Sequence, residues 1–190
     1  MKTLLKGIAA SVVVLLLGAV NLSAQTAVKM TFSGTSENTA NDLLQPNASN
    51  DEDHFTGIST LGSFNLGEVR AISNNPSPSA SCSGINQLHF SEPAGGGIFR
   101  FGDGSLLYVQ MTQGDDCIDF SVNSAHCVLQ FQVTGGTGRL ANASGTLTLT
   151  EKVVPVLTDA LGNPVYLAAT GQITGQLWGV TNPLGASGAQ

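Results

Sequence analysis

A glycine-dense corner between two strand-like runs, at residues 133–150, is the segment that most constrains the fold. On either side of it, apolar and polar residues alternate with the period of two that is typical of a β-strand. Glycine adopts positive φ at no steric cost, so several close together let the backbone reverse direction within a few residues. The corner therefore predicts two strands joined by a compact turn. The residues assigned to this structural corner are Gly135, Gly136, Gly138, Arg139 and Gly145.

The corner also contains the spacing of a dinucleotide-binding fingerprint, Gly136-x-Gly138-x-x-Ala141. That motif requires a following helix, because the N-terminus of the helix binds the pyrophosphate. Residues 140–144 leave room for about one helical turn before a Thr-Leu-Thr-Leu strand begins. The sequence therefore predicts no nucleotide and no other cofactor, and we expect Arg139 to bond the carbonyls of the corner.

Alternation with a period of two continues through most of the remaining chain. Phe99 and Phe101, for example, fall on one face of a strand, and no helical period persists for as many as ten residues. The pattern predicts about eight to ten short strands in one all-β domain, an antiparallel barrel of about eight strands or a sandwich. Loops and turns are predicted at residues 33–53, 74–84, 102–104 and 159–164.

At the corner the chain resembles the allene oxide cyclase-like and dirigent-like barrel superfamily. Its members commonly carry Gly-Gly-Thr-Gly-Arg-aromatic-x-x-Ala-x-Gly between two strands, and residues 135–145 match this with Leu140 at the aromatic position. Residues 54–64 are similar to the Leu-Gly-x-Phe strand of exported bacterial relatives. The resemblance implies an antiparallel barrel of about eight strands with a central cavity, and a homo-oligomer as one arrangement of such barrels. Plant members cyclise an unsaturated epoxide or direct radical coupling, but the matching motifs are structural, so no catalytic residue is carried over.

The first 24 residues are predicted to be a signal peptide. Lys2 and Lys6 give a basic start, residues 8–20 form an apolar run, and small residues precede a cleavage site before Gln25. An apolar run of about 13 residues is typical of a secretory signal and too short to span a bilayer. A retained amphipathic anchor is the alternative, although no polar face interrupts the run. The predicted organisation of this exported protein, secreted or periplasmic, is a signal peptide at 1–24, a barrel domain at 25–180 and a C-terminal tail at 181–190.

The balance of charge excludes two classes of partner. The chain has 13 acidic against seven basic residues, for a formal net charge of −6, and its basic residues do not cluster. A negative chain repels the phosphates of nucleic acids and of anionic lipids. We therefore expect neither nucleic-acid binding nor membrane insertion.

Three cysteines predict one disulfide and one free thiol in an oxidising compartment. Cys117–Cys127 is the favoured pair because it closes a short loop, and Cys82 is the alternative partner of either. A tight hairpin would place Cys117 opposite about Gln130, too far from Cys127 for a bond, so the favoured pair requires residues 118–126 to form an irregular loop. The spacing of cysteines and histidines does not match a zinc site, and no metal is predicted.

Glu68 and Arg70 are the candidates for polar chemistry inside the barrel. They share a strand face with Phe64 and Leu66 if the strand has no bulge. A carboxyl and a guanidinium that face an apolar interior can orient a ligand or take part in acid–base chemistry. A bulge at Gly67 is the alternative, and it would turn both side chains toward solvent.

By parity, most inward positions carry Phe, Leu, Ile, Val or Met, which leaves few polar groups in the lumen. Such a lining fills the barrel as a core or admits a hydrophobic small molecule. The favoured function is therefore an exported, non-catalytic barrel that is structural or binds an apolar small molecule. The alternatives are a cofactor-free isomerase or cyclase that uses Glu68 and Arg70, and a surface adhesion or matrix protein.

Overall fold

The computed structural model describes residues 25–40 and 43–181, which form nine strands and one 3-10 helix. The strands are β1 Thr26–Thr39, β2 Ala48–Ser59, β3 Gly62–Ser73, β4 Gln87–Ser91, β5 Ala94–Phe101, β6 Leu106–Asp119, β7 Ser124–Gly136, β8 Ser144–Thr158 and β9 Pro164–Trp178, and the 3-10 helix is Gly138–Leu140. The predicted signal peptide and residues 182–190 of the predicted tail lie outside the described residues. No helix in the described part of the chain is long and apolar enough to cross a membrane.

The sheet closes on itself. Its strands neighbour one another in the order β6-β5-β3-β2-β1-β9-β8-β7, β7 pairs back with β6, and every pairing is antiparallel. β4 and β5 hold the same register on one edge of β6, so they are two parts of one strand that is interrupted at Glu92 and Pro93. The predicted all-β antiparallel barrel of eight strands is confirmed, with β4 as a ninth segment in line with β5.

An apolar core fills one end of the barrel. Inward residues alternate with exposed ones along most strands, as Val28, Met30 and Phe32 do on β1. The rings of Phe32 and Phe55 stack with their centroids 4.6 Å apart. Burial of this apolar surface is the main driving force for closing the barrel. Other members of the core are Leu66, Phe99, Leu107, Leu129, Phe131, Leu149 and Ile173.

The glycine corner lies at the same end as this core. Gly138, with a φ of 59°, begins the 3-10 helix. Arg139 forms an ion pair with Asp103 (Nε–Oδ2 2.6 Å) and donates from Nη2 to the Leu61 carbonyl. Arg139 therefore connects the corner to the β2–β3 and β5–β6 turns, instead of bonding the carbonyls of the corner itself. Positive φ also occurs at Gly135 and Gly145.

The prediction of a long loop at residues 33–53 is wrong. β1 continues to Thr39, β2 begins at Ala48, and the two strands pair in one register over this region. The inward positions here are polar, because Ser36 and Asp53 are buried on the lumen side. The apolar–polar alternation that marks a half-buried strand is therefore absent, although the strands are present.

The favoured disulfide is also wrong, because Cys117 bonds to Cys82 and Cys127 is a free, buried thiol. β6 and β7 form a tight hairpin in which Cys117 lies opposite His126 and Asp116 lies opposite Cys127. Neighbouring residues of a strand point to opposite faces of the sheet. Cys117 therefore points outward, where its bond holds the β3–β4 loop, whereas Cys127 points into the lumen.

Candidate functional site

The end of the barrel opposite the glycine corner holds a cavity of about 550 Å³. It lies among the β1–β2 loop, the β6–β7 turn and the β8–β9 loop, which contribute Ala40, Asn123 and Asn163. Its walls are largely apolar and include Ile72, Phe90, Ile118, Phe120, Val153, Pro155 and Leu167. Four of its buried lining residues form a polar floor, namely Asp51, Arg70, Asp116 and Cys127.

The floor belongs to a larger polar cluster, which includes two rows of inward residues. The first consists of cross-strand neighbours on β1, β2 and β3, namely Ser36, Asp53 and Glu68. The second consists of cross-strand neighbours on β6, β7 and β8, namely Asp116, Cys127 and Glu151. β2 and β7 lie opposite each other in the ring of strands, so the two rows face each other across the lumen.

Arg70 lies between the two rows and forms four ion pairs. Its Nε is 3.2 Å from Asp53 Oδ2, and its Nη2 is 2.7 Å from Glu151 Oε1 and 3.6 Å from Asp51 Oδ2. Its Nη1 is 3.5 Å from Glu92 Oε1. Only 1% of the side chain is exposed, so one buried guanidinium organises four carboxylates from three segments of the chain.

The buried carboxyls outnumber this guanidinium. Arg70 is the one buried Lys or Arg side chain in the described part of the chain. Both carboxyl oxygens of Glu68 are buried without a hydrogen-bond partner. Removing carboxylates from water is costly, so this cluster needs protons or a further cation. The buried carboxyls are those of Asp51, Asp53, Glu68, Glu92, Asp116 and Glu151.

The pKa values of these groups shift in the direction that burial requires. Desolvation raises the pKa of Asp53 to about 7, although the charge of Arg70 opposes the shift. Desolvation likewise raises the pKa of Asp116 to about 6. Burial, followed by the charge of Asp53, holds the pKa of Glu68 well above its usual value. Part of the cluster therefore carries protons near neutral pH.

The structure brings the two predicted polar residues, Glu68 and Arg70, into this cluster. β3 pairs in continuous register with β2 and β5 across Gly67, so the bulge alternative and its solvent-facing side chains are wrong. Arg70 lines the cavity, whereas Glu68 lies beside Asp53 in the first row. A catalytic role for either residue stays a prediction.

The expectation of a lumen with few polar groups is wrong for this half of the barrel. The inward face continues at every second residue. Two residues before the inward Phe55 lies Asp53, and two residues after the inward Leu149 lies Glu151, so the pattern could have predicted both. Glu92 carried no such signal, because it lies at the interruption between β4 and β5. The other residues that sequence reasoning missed are Asp51 and Asp116.

Comparison with known proteins finds likeness among solved structures. No family model matches the chain, and no curated protein matches it. A solved structure of a pterocarpan synthase dirigent protein is 14% identical over 87% of this chain and 96% of that chain, with a TM-score of 0.39. This likeness is too distant to support an inference about substrate or activity. The closed eight-stranded barrel itself agrees with the fold that the resemblance to the allene oxide cyclase-like and dirigent-like superfamily implies.

Proposed function

We propose that the protein binds a small organic molecule in the cavity, with the apolar body of the ligand against the walls and a cationic or hydrogen-bond-donating group on the floor. The observation that carries this proposal is the cavity itself, which combines apolar walls with a buried, acid-rich floor. Its volume of about 550 Å³ lies within the range of small-molecule sites.

The charge of the floor favours one class of ligand. Asp51 and Asp116 line the cavity, and Arg70 is already paired with several carboxylates. An anionic ligand would meet a net excess of carboxyls, whereas an ammonium or another donor would be attracted by them. We therefore propose an amphipathic ligand, whereas the sequence led us to expect an apolar one.

A matched pair of probes tests this charge preference. Calorimetry on the chelator-treated protein should show naphthylethylamine binding about tenfold or more tightly than naphthylacetate, a difference of about 1.4 kcal/mol. The Asp51→Asn variant should lose most of this preference, and the Glu52→Gln variant should keep it, because Glu52 is an exposed neighbour on the same strand. Equal affinity for the two probes would refute the assigned ligand class.

A second pair of variants tests the location of the site. Leu167 lines the cavity, whereas Val154 points outward and is 38% exposed. We expect Leu167→Trp to occupy the cavity and abolish amine binding, and Val154→Trp to leave binding unchanged. Unchanged binding in Leu167→Trp would place the ligand elsewhere.

We also propose that the chain is exported. The Cys82–Cys117 disulfide supports an oxidising compartment. The predicted signal peptide, with its cleavage site before Gln25, would direct the chain to export. N-terminal sequencing of the protein from the exported fraction of its host should begin at Gln25. Recovery of the intact N-terminus from the cytoplasm alone would contradict export.

A cofactor-free isomerase is the second candidate function. The observation that favours it is the presence of Arg70 and Asp51 on the floor of an apolar-walled cavity, where a carboxyl and a cation can act on one ligand. A rate of conversion of the bound ligand that falls at least about tenfold in Asp51→Asn would support this function. Glu68 does not line the cavity, so the Glu68→Gln variant should act only through Arg70 and have a smaller effect.

A further inference from the structure

Three buried side chains from different segments converge beside the cavity floor. Glu92, Asp116 and Cys127 each offer one ligand atom, and these atoms lie within 4.8 Å of one another. We propose that they hold a divalent transition-metal ion of the zinc type, bound by two carboxylates and one thiolate. The inference goes beyond the proposed function, because it concerns a metal ion held by three side chains, not the organic ligand itself.

Glu92 provides an observation that is independent of the clustering. Its side chain is buried, and Oε1 lies 3.5 Å from Arg70 Nη1, but Oε2 has no hydrogen-bond partner. The backbone N–H of Glu92 donates to the Gly114 carbonyl, which fixes the residue at the β4–β5 interruption. A Cβ on Gly114 would lie 2.5 Å from Glu92 Cβ, so glycine at this position leaves the space that Glu92 occupies. Glu92 therefore brings a buried carboxyl oxygen without a hydrogen-bond partner to a cluster in which it already offers a ligand atom, as expected of a metal ligand before the ion binds.

The electrostatics of the surrounding cluster favour a cation. Asp51, Asp53, Glu68 and Glu151 add buried carboxyls around the same floor, and Arg70 is the one buried Lys or Arg among the described residues. A divalent ion would offset this excess of negative charge more completely than the guanidinium does alone.

The donor set identifies the class of ion. Ca²⁺ and Mg²⁺ take oxygen ligands, whereas a thiolate selects zinc and related ions. A tetrahedral zinc ion with bonds of about 2.0–2.3 Å needs donors about 3.5 Å apart, which small side-chain rotations would provide. Asp116 and Cys127 also line the cavity, so the fourth position of the ion would face it. Three protein ligands and one open position are typical of a catalytic rather than a structural zinc site.

Binding has a defined proton balance. The Cys127 thiol donates to Asp116 Oδ1 with Sγ–Oδ1 2.6 Å. When the ion binds, the S–H bond breaks and the S–metal bond forms. The thiol proton leaves for solvent, together with any proton on the Glu92 or Asp116 carboxyl, because all three groups bind the ion in their deprotonated forms. Oxidation states do not change, so no other reactant is needed.

Cobalt spectroscopy of the unaltered protein tests the assignment. Cys127 is the one cysteine outside the disulfide, so a thiolate-to-cobalt charge-transfer band in the near ultraviolet reports ligation by this residue alone. The chelator-treated protein should show that band on addition of one equivalent of Co²⁺, lose it on addition of Zn²⁺, and release protons in calorimetry with Zn²⁺. Absence of the band, or equal binding of Ca²⁺ without it, would overturn the proposal.

Variants identify the remaining ligands. Cys127→Ser should abolish the band, and both Asp116→Asn and Gly114→Ala should weaken Zn²⁺ binding at least about tenfold. Asp119→Asn, at a half-buried site on the same strand as Asp116, is the matched control and should bind like the unaltered protein. Zn²⁺ binding that survives all three cluster variants would show that the ion lies elsewhere on the chain.

Discussion

At the scale of single residues, the acids of the lumen set the response of the protein to pH. The pKa of Asp53 is raised from 3.8 to about 7, mainly by burial. The folded state therefore holds a proton that the unfolded chain releases between these values. This contribution to stability is complete below the unfolded pKa and is lost as the pH rises through about 7. Glu68 acts in the same direction.

We therefore expect the chelator-treated protein to be more stable at pH 5 than at pH 8, by on the order of 3 kcal/mol from Asp53. Denaturation by urea at the two pH values measures the difference, which should shrink in Asp53→Asn and persist in Glu52→Gln. Greater stability at pH 8 would contradict the raised pKa values. The pKa values of Asp103, Asp119 and Asp159 are lowered, so their contributions are lost only in more acidic solution.

Residues also show why the site was only partly predictable from the sequence. Glu68 and Arg70 were found because they continue the inward face of Phe64 and Leu66. Asp53 was missed because it follows Asp51 and Glu52, and a run of acidic residues is typical of a solvent-exposed loop. Such a residue is recognised as inward only when its strand partners are known.

At the scale of elements, Arg139 stabilises the end of the barrel that holds the glycine corner. It connects this corner to the β2–β3 and β5–β6 turns. It pairs with Asp103, donates to the Leu61 carbonyl, and its guanidinium lies 5.4 Å from the centre of the Phe101 ring. We expect Arg139→Ala to lower the free energy of unfolding by about 2 kcal/mol. Arg139→Lys should recover only part of this loss, because one ammonium cannot reproduce the forked geometry.

The comparison for this prediction is Arg100→Ala, since Arg100 is exposed on β5. Urea denaturation of both variants measures the effect. An equal loss in the two variants, or no loss in Arg139→Ala, would remove the connecting role of Arg139.

The elements that the sequence predicted are those with a clear local pattern. The turns at residues 102–104 and 159–164 and the loop at 74–84 follow from their glycines and prolines. The pairing of Cys82 with Cys117 has no local signal, because it depends on which face of β6 each residue occupies and on where the β3–β4 loop crosses the sheet.

At the scale of the whole molecule, the barrel divides into two unlike halves. One half buries aromatic and aliphatic side chains and supplies stability, while the other buries carboxyls around Arg70 at the base of a cavity. Burying so many acids reduces the stability of the fold at neutral pH. An arrangement of this kind is typical of sites that bind ligands or perform chemistry.

Native mass spectrometry of the protein from its own host, followed by denaturing extraction, shows whether the cavity holds a ligand. We expect one small organic molecule per chain, amphipathic and with a cationic or hydrogen-bond-donating group. It should be lost from Leu167→Trp and retained by Val154→Trp. A protein that carries no small organic molecule and binds neither naphthyl probe would contradict the proposed function.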